Sequence, residues 1–145
     1  MTLHLLKLCV GADSIQDLRD WVSERSLTAL AAGLEPHSIH TTRMVPKRMD
    51  ELLSGGSLYW VIKGQVSARQ PLLDIKTFTG EDGISRCRLV LGPEVVETVP
   101  QPKRPFQGWR YLTPEDAPKD LSSISEDAAE MPESLRRELA ELGLL

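Results

Sequence analysis

Residues Leu58–Ile75, LYWVIKGQVSARQPLLDI, decide the fold. Apolar residues run unbroken from Leu58 to Ile62, Lys63-Gly64 interrupts them, and an apolar pattern resumes to Ile75. The stretch reads as two adjoining strands, 58–63 and 65–75, with Gly64 at the corner. Side chains alternate along a strand, so Leu58, Trp60 and Ile62 share one face, the inner one. A hairpin built only for a core has no need of Lys63 or Arg69. The search for function therefore starts with these polar residues set into apolar strands.

Upstream, Leu3–Val10 is short and apolar apart from His4 and Lys7, and reads as a buried strand ended by Gly11. Asp13 or Ser14 can cap a following helix with a side-chain oxygen. Ile15, Leu18, Trp21 and Val22 recur at helical spacing, and the pattern continues through Leu27, Leu30 and Ala31 to Gly33. Residues 37–43 carry β-branched Ile39, Thr41 and Thr42 and predict a strand. Pro46 suits the first turn of a second helix reaching Leu53.

Downstream, Thr79–Gly83 reads as a hairpin loop and Ile84–Leu91 as the returning strand. Alternation there places Arg86 and Arg88 on one face. A short strand follows at Glu94–Val99, then an irregular segment around Pro100, Pro102 and Pro105, then a strand within Phe106–Leu112. The expected class is α+β: a bent mixed or antiparallel sheet, or a PUA-like β-barrel, with flanking helices. Residues 1–112 form the single domain, 113–131 an acidic irregular segment, and 132–145 a short helix with Leu135, Leu139 and Leu142 on one face.

The length of 145 residues suffices for a real core, and an apolar fraction of 41% with 26% charged fits a soluble globular chain. No run approaches the ~18 apolar residues of a membrane helix. The opening segment has no basic stretch ahead of its apolar run and does not read as a signal peptide. A cytoplasmic location is expected, with Cys9 and Cys87 as reduced thiols. The net charge of −4 is unevenly spread: residues 1–36 carry −2, residues 37–110 carry +4, and residues 111–145 carry −6. The basic middle allows a local anion site despite the acidic total. The acidic C-terminal stretch is placed to shield it.

The ligand-binding candidates are Arg43, Lys47, Arg48, Lys63, Arg69, Trp109 and Arg110, within a wider basic set that includes Arg86, Arg88, Lys103 and Arg104. Guanidinium and ammonium groups suit phosphate, and Trp60, Phe106, Trp109 and Tyr111 could stack on unpaired bases. The plain reading of the same residues is a solvated surface, arginines paired to the acidic tail, and core tryptophans. Arg69 and Arg110 lie in apolar strands, where each needs a carboxylate, a ligand or water. They are expected to share one anion site. His37 and His40 stand three apart, which on a strand points them to opposite faces, and no metal or cofactor is expected. No GxSxG, Walker A, HExxH or GxGxxG string occurs. Asp74, the one acid inside an apolar strand, is a candidate base or a structural ion-pair partner.

Several strings taken together, LHLLKLCVGADSI with Trp21, TTRMVPKR, LYWVIKG, ARQPLLDI and PFQGWRYL, resemble a bacterial family known as domain of unknown function 1489. That resemblance implies no activity. A more distant similarity, in strand order and in a LYWVIKG-type strand beside a basic ARQ, is to PUA-like β-barrels, including ASCH and EVE domains. Many of those bind RNA or modified bases. The acidic residue of the ASCH-type GxKxxExR string has no counterpart among Gly64, Arg69 and Gln70.

Three functions compete. The first is a binding module for RNA or a nucleotide. The second is an enzyme on a small anionic substrate, with Asp74 or His40 moving the proton. The third is an interaction domain that docks a protein partner through the C-terminal helix. No membrane partner is expected.

Overall fold

Leu58–Ile75 folds as an antiparallel hairpin in the computed structural model, which describes residues 2–121. Its arms are β3 (Ser57–Ile62) and β4 (Gln65–Thr79). Both corner residues have positive φ, 49° at Lys63 and 77° at Gly64. That is the two-residue turn whose twist matches the strands it joins. Gly64 adopts such a backbone freely, whereas Lys63 does so at some cost in strain.

The remaining elements are β1 (His4–Leu8), α1 (Ile15–Ala31), β2 (Ser38–Thr42), α2 (Met49–Leu52), β5 (Ser85–Leu91), β6 (Val96–Pro102) and β7 (Trp109–Leu112). They build one seven-stranded mixed sheet in the order β2-β5-β4-β3-β1-β7, with β6 also paired to β4. Only β1 and β3 run parallel. The 15-residue β4 is the spine. It pairs with β6 over Gln65–Arg69 and with β5 from Leu72 to Thr79, and Pro71 sits where the partner changes. Register shifts at Trp60/Val61, Val66/Ala68 and Leu72/Asp74 bend the sheet. The class is α+β, and the sheet is open: it does not close into the barrel that was the other expectation.

Ser14 caps α1, its hydroxyl accepting from the Asp17 amide. Leu18 and Val22 bury the helix against the sheet, while Leu27 and Leu30 remain exposed. Two sequence expectations are corrected. The helix expected from Pro46 is a single turn at Met49–Leu52, because Arg48 has a non-helical backbone (φ −98°, ψ 49°) and the helix starts only after it; the Lys47 and Arg48 amides donate to Tyr111 Oη. The segment expected to be irregular around Pro100 and Pro102 belongs to β6. β6 pairs with β4 on one side, and an edge strand tolerates missing N–H donors.

Every residue of β3 is buried. Leu58, Trp60 and Ile62 enter the larger core with Leu5, Leu18, Leu52, Leu89 and Trp109. Tyr59 and Val61 enter a smaller one on the other face with Leu6, Val66 and Leu112. Trp60 Nε1 donates to Gln70 Oε1 (2.9 Å) and Gln70 Nε2 to the Gly92 carbonyl (3.0 Å), so the buried Gln70 amide is satisfied. The turn at Thr113–Ala117 and a bridge between Thr98 and Asp120 carry the chain past β6. The expected helix at 132–145 and most of the acidic segment 113–131 lie outside the described residues. Among the described residues no helix is long and apolar enough to cross a membrane.

Candidate functional site

The strand pairings fix where the two arginines of the apolar strands stand. Arg69 pairs with Tyr59, Tyr59 with Leu6, and Leu6 with Arg110. These four therefore form one row across β4, β3, β1 and β7, on the face of the smaller core. Arg69 and Arg110 share that face but are three strand spacings apart, about 14 Å at about 4.8 Å per strand.

Their surroundings differ. Arg69 donates from Nε and Nη2 to the two oxygens of Asp120, both at 2.8 Å, and from Nη1 to Ser57 Oγ at 2.9 Å. The fork-to-fork pair with Arg69 holds the Asp120 carboxyl below its ordinary value. His4 adjoins the cluster: its Nδ1 accepts from the Ser57 amide at 3.0 Å and its ring meets Tyr59 edge-on at 5.1 Å. Burial, then the Arg69 charge, lowers the His4 pKa. Arg69 thus already holds a carboxylate from the C-terminal stretch, the partner the plain reading anticipated. Asp74 does not supply it, since its Oδ1 accepts from the adjoining Ile75 amide at 2.8 Å.

Arg110 is exposed, with its guanidinium carbon 5.3 Å from the centre of the Phe106 ring. It lines a groove of ≈ 510 Å³ with Lys103, Gln101 and Tyr111, closed on another side by Glu115 and Asp116. β7 is the last strand of the sheet, so one of its edges is unpaired among the described residues. Tyr111 lies on the strand's other face. Its hydroxyl accepts from the Lys47 amide at 2.9 Å and the Arg48 amide at 3.3 Å, and Arg48 sits over its ring at 5.8 Å. The Arg43–Arg48 segment is thereby pinned against β7, helped by Trp109 Nε1 donating to the Met44 carbonyl at 2.7 Å.

Among the described residues, a free strand edge is therefore accompanied by Lys47 and Arg48 on one face and by Lys103 and Arg110 on the other, with Arg43 and Arg104 near them in the chain. Arg48 pairs with Glu51. Among the described residues, the other five and Lys63 make no ion pair. Lys63 is close in the fold, because the Lys103 amide donates to the Gly64 carbonyl at 2.8 Å. Trp109 is a core residue, 6% exposed and in edge contact with Tyr111 at 4.8 Å, so the accessible rings are those of Phe106 and Tyr111.

The remaining candidates are dispersed. Arg86 is held by Asp82 in the β4–β5 loop, and Arg88 lies over Phe78 at 4.5 Å. His37 and His40 line different pockets. Among the described residues no group of three or more His, Cys, Asp or Glu is arranged to hold a metal ion. Cys9 and Cys87 are buried, and burial pushes the Cys9 thiol up to about 11. Sequence reasoning missed Asp120, Ser57 and His4 around Arg69, and Tyr111 as the residue that joins the basic segment to β7.

The family described as "Protein of unknown function (DUF1489)" matches residues 5–145. No curated protein and no solved structure gave a match.

Proposed function

The chain belongs to this family of unknown function, and we propose that it is a binding module for single-stranded RNA or a nucleotide, with the free edge of β7 as the binding surface. One observation carries the proposal: among the described residues, the unpaired cations Lys47, Lys103 and Arg110, with Arg43 and Arg104 near them in the chain, accompany an unpaired strand edge that also presents Phe106 and Tyr111. Cations along an edge follow a phosphate backbone, and exposed aromatic rings take unstacked bases. The narrow strip suits a single strand better than a duplex. Glu115 and Asp116 face the same groove and oppose polyanions, which makes binding weak and steeply salt-dependent.

The test is a titration of isotopically labelled protein with a short single-stranded oligoribonucleotide at low salt. Amide resonances of 43–48 and 103–112 are expected to shift together, while those of β2 and β5 stay still. Shifts confined to other elements, or equal shifts with a duplex of the same length, would remove β7 as the surface.

A further inference from the structure

The larger core contains a second polar site, on the opposite face from Arg69 and Arg110. A pocket of ≈ 110 Å³ opens between α1 and the sheet, its lining including Arg25, Ser38, His40, Trp60, Gln70 and Leu91. Ser38 and His40 are two apart on β2 and so face the same way. Ser38 is 2% exposed, and its Oγ has no hydrogen-bond partner. A buried hydroxyl without a partner costs free energy, and here it borders a space able to hold one.

The charge around this space is mainly positive, with Asp17 the acid that also acts on Cys9. Lys7 does not line the pocket, but it is partly buried, stands directly opposite Trp60 in the register of β1 and β3, and its charge acts on Cys9 and His40, which do line it. Lys7 lies between Leu5 and Cys9 in the alternation, and so on the same face as both. Among the described residues neither Lys7 nor Arg25 has a carboxylate within ion-pair distance. His40 meets Trp60 edge-on at 5.5 Å. Burial, then the charges of Lys7 and Arg25, push its pKa down to about 4, so at neutral pH it presents one ring N–H and one acceptor. Gln70 adds the second N–H of its amide, the first being held by Gly92.

The donors therefore outnumber the acceptors, and among the described residues no carboxylate pairs with Lys7 or Arg25. Leu18, Val22, Leu91 and the Trp60 ring make the remaining wall apolar. A cavity of about 150 Å³ takes a benzene ring, so a smaller one takes a body of up to about six heavy atoms. We propose that this pocket binds a small monocarboxylate, its head group held by Arg25 and Ser38 beside the charge of Lys7, and its short apolar body packed against Trp60, Leu18 and Leu91. An anion of that kind relieves the unpaired Arg25 and the unpartnered Ser38 hydroxyl together. Bare phosphate leaves the apolar wall unused, and a neutral ligand leaves Arg25 unpaired.

The test uses sodium propionate, propionamide and inorganic phosphate, each titrated into the full chain. The readouts are the Trp60 indole N–H and the Gln70 side-chain amide resonances. Propionate is expected to move both saturably, and Arg25→Met to weaken it about tenfold or more, since hydrogen bonds to charged groups contribute at about that scale. Lys7→Arg is expected to retain binding, and thermal melting of Lys7→Met to match or exceed that of the original protein. If Arg25→Met does not fold, Lys7→Met carries the same expectation. The proposal is overturned if propionate gives no saturable shift, if propionamide or phosphate binds as tightly as propionate, or if both charge-removing variants bind propionate unchanged.

Discussion

Arg69 and Arg110 stand in one cross-strand row, on one face of one sheet, with Tyr59 and Leu6 between them and Val96 of β6 beyond Arg69. Yet Arg69 is locked to Asp120 and Ser57, whereas Arg110 lies open beside Phe106. Arg69 sits on the central strand β4, flanked by β3 and β6, and Arg110 on the edge strand β7; the C-terminal stretch crosses β6 and delivers the Asp120 carboxylate to Arg69 alone. The same stretch brings Glu115 and Asp116 near Arg110, but neither forms an ion pair with it. An arginine in an apolar strand is therefore not in itself a ligand site. What matters is whether the chain supplies its counter-ion.

The opposite face sets the upper end of the energetic scale. Trp60 is 5% exposed and bonded to Gln70, so Trp60→Ala is expected to cost about 3–5 kcal/mol in denaturant unfolding. Unchanged melting would show that β3 does not anchor the core as described.

Arg69→Met removes the guanidinium and leaves Asp120 and Ser57 without it. The pair is partly exposed, at 24% and 27%, so the expected cost is about 1–2 kcal/mol, below that of a fully buried pair. A change in RNA binding with unchanged stability would reverse the comparison and make Arg69 the open residue.

Acid gives a smaller and more specific readout of the same pair. The carboxyl of Asp120 is held below its ordinary value by Arg69. A depressed folded-state value means that its stabilisation is fully present above the unfolded value, about 3.9, and is lost as pH falls through the folded one. Asp120→Asn is therefore expected to be less stable at neutral pH and to lose less stability on acidification below about pH 4. Asp82, lowered to about 2 chiefly by its hydrogen bond to Arg86, responds in the same direction in both proteins and cancels in the difference. Parallel acid-unfolding curves would contradict the pairing.

Local patterns made much of the fold legible. The Gly64 corner, the alternation in β3 and a cap at Asp13 or Ser14 each depend on residues a few positions apart; the structure has Gly64 in the turn, joined there by Lys63, the expected inner face of β3, and Ser14 as the cap. Elements decided at a distance were not legible. The second helix starts only after Arg48, whose backbone is non-helical, and the Lys47 and Arg48 amides ahead of it meet Tyr111, 63 or 64 residues away. Asp120 reaches Arg69 across 51 residues, while the nearer Asp74 is occupied by its own backbone. At the candidate site the basic residues could be seen in the sequence, but their sorting into paired and open could not. Ser38 gave no signal at all, because an unpartnered hydroxyl is a property of packing.

The central claim is that the open cations along β7 contact RNA phosphates, and the salt dependence of binding tests it most directly. Arg110→Met is expected to leave stability within about 0.5 kcal/mol, as for an exposed side chain. Binding of a fluorescently labelled single-stranded oligoribonucleotide would be measured across a range of salt concentrations, for the original protein and for this variant. The account predicts weaker binding and a slope of log affinity against log salt shallower by about 0.7, the loss of one phosphate contact on a single strand. Equal affinities with the same slope, or no RNA binding at low salt, would contradict it.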